Sequence, residues 1–70
     1  MSAVLKINGQ EKRFDEGLPA TLAGLLEKMK IDAATVVAEI NGQIVERKDF
    51  AKTALNENQS IELIRFVGGG

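Results

Sequence analysis

The stretch TLAGLLEKMK, residues 21–30, decides the fold because it holds the clearest helical pattern in the chain. Its apolar residues recur at helical spacing and form one stripe, made of Leu22, Leu25, Leu26 and Met29. The hydroxyl of Thr21 can accept a hydrogen bond from an unpaired amide of the first turn, so Thr21 is the predicted N-cap. We therefore predict an amphipathic helix over residues 22–30.

Segments of alternating polarity flank this helix and predict strands. Before it, residues 3–7 form one predicted strand and residues 10–14 form a polar return strand that ends on Phe14. Asn8-Gly9 between them is the strongest short hairpin signal, because both residues tolerate the positive φ of a type I′ turn. The segment before the helix is therefore a predicted hairpin.

The segment after the helix contains several shorter elements. They are predicted, in order, as a strand at 35–40, a turn at Asn41-Gly42, a short strand at Ile44-Val45, one helical turn at 46–50 that buries Phe50, a weak strand at 53–55, a polar turn at 56–59 and a last strand at 60–67. The tetrapeptide Ile-Asn-Gly-Gln occurs at 7–10 and again at 40–43. We interpret this repeat as two similar hairpin turns, because it is too short to indicate a duplicated fold.

None of these elements can bury its apolar face alone. The economical arrangement is one mixed β-sheet with the single main helix packed across one face, and with the first and last strands parallel and central. The predicted core comprises Leu5, Ile7, Leu22, Leu25, Leu26, Met29, Ile40, Ile61 and Leu63. This α+β arrangement is a β-grasp, with a predicted domain at residues 1–67 and a glycine tail at residues 68–70.

The composition excludes several classes of function. The chain has 70 residues, no Cys and no His, so it has no thiolate, no disulfide framework and no imidazole general base or metal ligand. Its formal net charge of −1 predicts neither a nucleic-acid nor an anionic-membrane partner. We expect no bound metal or cofactor, and a substrate or binding partner rather than an enzyme. Since no export signal or membrane span is evident, the expected compartment is the cytoplasm.

The terminal Gly68-Gly69-Gly70 has two interpretations. Glycines are common in loose chain ends, so the tail can be incidental. Alternatively, a tail without Cβ atoms enters a channel in which any side chain would clash, and this tail follows a predicted strand almost directly. Its functional group is then the α-carboxylate of Gly70, a poor acyl donor until ATP activates it as a phosphoric anhydride. The chain has no Gly-x-x-x-x-Gly-Lys loop, so another protein would have to supply the ATP chemistry.

The last predicted strand leaves a second question open. Ile61 and Leu63 point to one face of the sheet, so Ile64 and Phe66 should point to the other. A bulge near Arg65 would restore the phase and bury Phe66. Without a bulge, Ile64 and Phe66 form an exposed apolar patch beside the tail, as is typical of a docking surface. The candidate docking residues in that case are Ile64, Arg65, Phe66 and Val67.

Several ordered stretches are shared with a known family. They are Asn8-Gly9, Gly17-Leu18, Thr21-Leu22-Ala23-Gly24-Leu25-Leu26, Ile40-Asn41-Gly42-Gln43-Ile44-Val45 with Arg47 and Phe50, and Ile61-Glu62-Leu63-Ile64-Arg65-Phe66-Val67-Gly68-Gly69-Gly70. Across essentially the whole chain they resemble the ThiS family, the sulfur carrier proteins of thiamin biosynthesis. The departures, an extra residue near Pro19-Ala20 and Gly24 where a Glu is common, concern only the start of the helix. The resemblance implies a ubiquitin-like β-grasp fold.

The resemblance also implies a cycle in which the chain is a carrier on which enzymes act. An ATP-dependent activating enzyme similar to ThiF would adenylate the carboxylate of Gly70. Sulfur from a cysteine desulfurase or another persulfide donor would then displace AMP and leave a C-terminal thiocarboxylate. A thiazole synthase similar to ThiG would take up that sulfur to build the thiazole ring of thiamin.

Three alternatives stay open at this point. The small subunit of molybdopterin synthase uses the same thiocarboxylate chemistry, although Arg65-Phe66-Val67 before Gly68 is similar to the ThiS family. A ubiquitin-like protein modifier joins its terminal glycine to a lysine instead of loading it with sulfur. A non-covalent β-grasp binding module would carry its terminal glycines incidentally.

Overall fold

The fold is that of a computed structural model, in which the structure describes residues 2–65. Its strands and helix are β1 (Ala3–Ile7), β2 (Gln10–Phe14), α1 (Leu22–Lys28), β3 (Val36–Ile40), β4 (Gln43–Val45) and β5 (Ser60–Arg65). Two 3₁₀ helices, Ala33–Thr35 and Arg47–Lys52, complete the described elements. Every helix among the residues described is too short or too polar to cross a bilayer.

The five strands form one mixed sheet in the order β2-β1-β5-β3-β4. The first and last strands are parallel neighbours, and the last strand lies at the centre. All other strand pairs are antiparallel. The predicted α+β β-grasp topology is therefore confirmed.

Both hairpins turn through the predicted Asn-Gly pairs. Asn8 and Gly9 have φ of 52° and 81°, and Asn41 and Gly42 have φ of 50° and 85°. Positive φ at both central residues is what a type I′ turn requires, and its twist matches that of the flanking strands. The Ile-Asn-Gly-Gln repeat thus marks two similar turns, as predicted.

The helix begins as predicted and ends earlier. The hydroxyl of Thr21 accepts a hydrogen bond from the amide of Gly24 at 3.1 Å, which confirms the N-cap. The prediction that the helix reaches residue 30 is wrong, because α1 ends at Lys28 and Lys30 has a φ of 59°. The amide of Lys30 then donates to Glu27 O, and that of Ile31 to Leu26 O. This is the Schellman pattern, with a lysine in the position that glycine usually takes.

The core lies between α1 and one face of the sheet. Its buried hydrophobic residues are Leu5, Ile7, Phe14, Leu22, Leu25, Leu26, Val36, Ala38, Ile40, Phe50, Leu55, Ile61 and Leu63. Every predicted core residue is among them except Met29, which follows the end of α1 and is only half-buried. Phe50 is 3% exposed and points inward from its 3₁₀ helix, as predicted.

The weak strand predicted at 53–55 is wrong. This segment makes a single bridge, between Ala54 and Thr21, and does not join the sheet. The amide of Leu22 donates to Thr53 O at 2.9 Å, and the amide of Leu55 to Ala20 O at 3.3 Å. The segment therefore pairs with the chain that enters α1, which satisfies its backbone groups away from the sheet.

Candidate functional site

The candidate site begins at the end of β5, whose position the sheet fixes. β3 pairs with β5 along its length, from Ile40↔Ile61 to Val36↔Arg65. β1 pairs with the same strand at two positions only, the second being Ile7↔Ile61. Arg65 is therefore held in a defined register, and the chain leaves the described part of the fold from the middle of the sheet.

The bulge considered near Arg65 is absent from the described part of β5. Leu63, Ile64 and Arg65 pair in unbroken register with successive residues of β3. Leu63 is buried, and Ile64 points to the opposite face and is 52% exposed. The interpretation without a bulge is therefore correct as far as Arg65, and Ile64 lies on the outer face of the sheet, away from α1. Phe66 lies outside the described residues.

Ile64 has an apolar neighbour across the sheet. Its register partner is Val37, which is 37% exposed on the same face. We call Val37 and Ile64 together the outer-face patch. The alternation of the strand at 35–40 places Val37 on the face opposite Val36 and Ala38. It does not reveal the partner of Val37, because strand register depends on pairings that are distant in sequence.

Two carboxylates lie next to the outer-face patch. Glu39 and Glu62 are direct register partners on the same face of β3 and β5. Like charges opposite each other on a sheet repel, so this pair costs stability rather than adding it. The ion pair within residues 2–65 joins Lys48 and Glu46 at 3.7 Å and involves neither of them. The outer face thus presents an apolar patch bordered by negative charge.

The remaining predicted site residues divide into two groups. Arg65 is described, and its side chain is exposed at the end of β5. The others lie outside the described residues, and they are Phe66, Val67, Gly68, Gly69 and Gly70. Within residues 2–65 no group of three or more carboxylates could hold a metal ion, and no polar or charged side chain is buried.

Comparison with known proteins identifies the family. The model of the ThiS family matches residues 5–70. The crystal structure of the thiamine biosynthesis protein ThiS from Geobacter metallireducens is similar with a TM-score of 0.82 and 31% sequence identity. That similarity covers 96% of this chain and 99% of the Geobacter chain.

Two curated relatives are similar over almost all of this chain. The sulfur carrier protein ThiS of Bacillus subtilis is 27% identical over 67 residues, which are 96% of this chain and 100% of that protein. A thiazole synthase of Paramagnetospirillum magneticum is 35% identical over 66 residues, or 94% of this chain, but this chain spans only 20% of that protein's length. With a family match over residues 5–70 and the fold of a solved ThiS, this chain belongs to the ThiS family of sulfur carrier proteins.

Proposed function

We propose that this chain carries sulfur for thiazole formation in thiamin biosynthesis, on the carboxylate of Gly70. The observation that carries the proposal is the ThiS family match, which runs through the terminal glycines to residue 70. The fixed register of β5 supports it, because a tail that follows a central strand leaves the fold from one defined point. The chain then acts as a co-substrate on which partner enzymes work.

The chemistry starts from an unreactive group. The negative charge of a carboxylate deactivates its carbonyl carbon, so an oxygen of Gly70 must first attack the α-phosphorus of ATP, releasing pyrophosphate. The acyl adenylate then has a good leaving group. A persulfide attacks the carbonyl carbon, a C–S bond forms, and the C–O bond to AMP breaks. The product is an acyl disulfide that joins Gly70 to the donor. A thiol then attacks the donor's sulfur, the S–S bond breaks, the thiocarboxylate leaves, and the thiol and the donor end as a disulfide.

Three partners follow from this chemistry. An activating enzyme similar to ThiF supplies ATP binding and adenylation. A cysteine desulfurase or another persulfide donor supplies the sulfur. A thiazole synthase similar to ThiG accepts it, and two proteins named thiazole synthase support that assignment, because a segment similar to this chain makes up 20% of each. That similarity favours the thiazole route over the molybdopterin route.

The tail suits transfer between such enzymes. Gly68, Gly69 and Gly70 together extend about 11 Å at most, which suits a narrow channel. Without Cβ atoms they pass where any side chain would clash. We therefore propose that the chain consists of a domain at residues 1–67 and a tail at residues 68–70.

The outer-face patch is the proposed docking surface for the activating enzyme. Ile64 lies at the end of the strand that leads to the tail, with Val37 beside it. Arg65, Phe66 and Val67 continue from there toward the glycines and complete the proposed surface. Phe66→Asp should weaken binding of the activating enzyme and leave the domain folded. If this substitution unfolds the domain instead, Phe66 belongs to the core.

The proposal is tested by intact-mass measurement. The protein is incubated with ATP, a ThiF-like enzyme, a persulfide donor and a thiol. We expect a mass gain equal to the exchange of one oxygen for one sulfur. Two matched controls, deletion of Gly69-Gly70 and extension by one alanine after Gly70, should show no gain, because both remove the carboxylate from its position.

The alternatives give other outcomes in the same experiment. If the mass never changes and the chain functions normally after deletion of Gly69-Gly70, the carrier function is refuted. The non-covalent binding module is then the alternative that agrees with the data. Attachment of the chain to lysines of other proteins would identify a modifier. Purification of the thiocarboxylate form with a molybdopterin synthase subunit, rather than a thiazole synthase, would place it in the other pathway.

A further inference from the structure

The two Ile-Asn-Gly-Gln turns share a feature beyond their shape, because each asparagine side chain bonds to the backbone of β5. Asn41 Oδ1 accepts a hydrogen bond from the amide of Ser60 at 2.9 Å, at the start of the strand. Asn8 Oδ1 accepts from the amide of Leu63 at 2.8 Å, and Asn8 Nδ2 donates to Leu63 O at 3.3 Å. The two turns therefore bond to the central strand from opposite sides, at different positions along its length.

The side chain of Asn8 extends the hydrogen-bond ladder between β1 and β5 beyond the last backbone bond. The parallel pairing of β1 and β5 runs through Lys6 N–H to Gln59 O at 3.0 Å and Asn8 N–H to Ile61 O at 2.8 Å. The next bonds of a regular parallel ladder would link Leu63 N–H to the carbonyl of residue 8, and Leu63 O to an amide two residues further on. The chain instead turns at Asn8-Gly9, and the Asn8 carboxamide takes both positions.

The chemistry of this position is specific to asparagine. A carboxamide carries the same donor and acceptor as a peptide group, so it can pair with both backbone atoms of Leu63 at once. The positive φ of Asn8 suits asparagine, aspartate and glycine. Glycine would keep the turn and lose both bonds, whereas aspartate would keep the acceptor and set a negative oxygen against Leu63 O.

We propose that Asn8 is a positioning residue for the carrier tail. It fixes Leu63, two residues before the end of the described strand, on the side where β1 no longer pairs, and so holds the strand end from which the chain continues to Gly70. This inference rests on the proposed adenylation of Gly70. Asn41 holds Ser60, at the far end of β5 from the tail, and is the natural control.

The test compares Asn8→Gly and Asn8→Asp with Asn41→Gly. The Asn41 variant removes one side-chain hydrogen bond to β5 from the second Asn-Gly turn. Adenylation of each folded variant is followed by ATP–pyrophosphate exchange with a ThiF-like enzyme, with kcat and KM measured separately. Misplacement of a reacting group by about 1 Å can cost a hundredfold in rate, so we expect kcat to fall about tenfold or more for both Asn8 variants. Asn41→Gly should stay within about twofold of the original chain, because Ser60 is remote from the tail.

Hydrogen exchange of the Leu63 amide gives a readout that needs no enzyme. Loss of its hydrogen bond, worth about 0.5–1.5 kcal/mol, should speed exchange about two- to tenfold in Asn8→Gly and leave it unchanged in Asn41→Gly. The proposal is overturned if the Leu63 amide exchanges equally fast in Asn8→Gly and Asn41→Gly, or if these two variants have equal kcat values. It is also overturned if Asn8→Asp has the kcat of the original chain. If the original chain is not adenylated, the proposed function fails, and Leu63 exchange still decides whether Asn8 holds the strand end.

Discussion

Substitution of Ile64 by serine separates a docking role from a folding role. Ile64 is 52% exposed, so about half of its side chain stabilises the fold and the other half is available to a partner. Full burial of an isoleucine side chain is worth about 1.5–3 kcal/mol, so the fold should lose about 1 kcal/mol in Ile64→Ser. A domain of 70 residues has about 3.5–10 kcal/mol of stability, and the variant should therefore stay folded.

The effect on docking should be of similar size. If the activating enzyme covers the exposed half of Ile64, the substitution removes about 1 kcal/mol of contact. Since about 1.4 kcal/mol corresponds to a factor of ten in an equilibrium constant, we expect a dissociation constant raised about fivefold. The assay is titration of a ThiF-like enzyme with each variant, alongside a urea unfolding curve of the variant alone.

Ile44→Ser is the matched control. Ile44 is 68% exposed on β4, the strand at the sheet edge next to β3. It lies opposite Glu39, two strands away from β5, so the same change is made on the same face but farther from the tail. Ile64 is not a docking residue if Ile64→Ser, still folded, binds the activating enzyme no more weakly than Ile44→Ser. If the free energy of unfolding of Ile64→Ser falls by several kcal/mol, Ile64 is a core residue and its side chain is not free to contact a partner.

Three further predictions concern stability and are measured by urea unfolding. Phe50→Ala should cost about 3–5 kcal/mol, a large share of the domain's stability, because Phe50 is 3% exposed and its loss leaves a cavity. Gly24→Ala should stabilise the domain by about 0.5–1 kcal/mol, since the new Cβ would lie 3.5 Å from Pro19 Cβ, an ordinary contact, within a helix. Glu62→Gln should add about 0.2–1 kcal/mol by relieving repulsion from Glu39, and the gain should shrink in high salt because salt screens it.

Local signals were enough to predict most of the fold. The stripe and cap of residues 21–29 and the two Asn-Gly pairs act within a few residues, so their effect is visible in one sequence. The order of elements then leaves few ways to cover the helix, which is why the parallel, central placement of β1 and β5 was also predicted. The early end of α1 was missed because Lys30 takes the left-handed position usually marked by glycine.

The candidate site was less visible than the fold, for a physical reason. The exposed side of Ile64 follows from alternation, but its pairing with Val37 and the repulsion of Glu39 and Glu62 follow from register. Register is set by contacts between segments more than twenty residues apart, and one sequence does not display it. The role of Asn8 was hidden in the same way, since the repeated tetrapeptide predicted a turn and not the strand that its side chain reaches.

The position of β5 couples folding to presentation of the tail. Without Ser60–Arg65, β1 and β2 form one hairpin and β3 and β4 another, with no direct pairing between them. An isolated two-stranded hairpin is marginally stable at best, so the sheet depends on the strand that joins the two halves. That strand is also the one that leads to Gly70. A chain in which β5 is out of place therefore loses both its core and the fixed origin of its tail, so an activating enzyme that docks on β5 would select folded carriers.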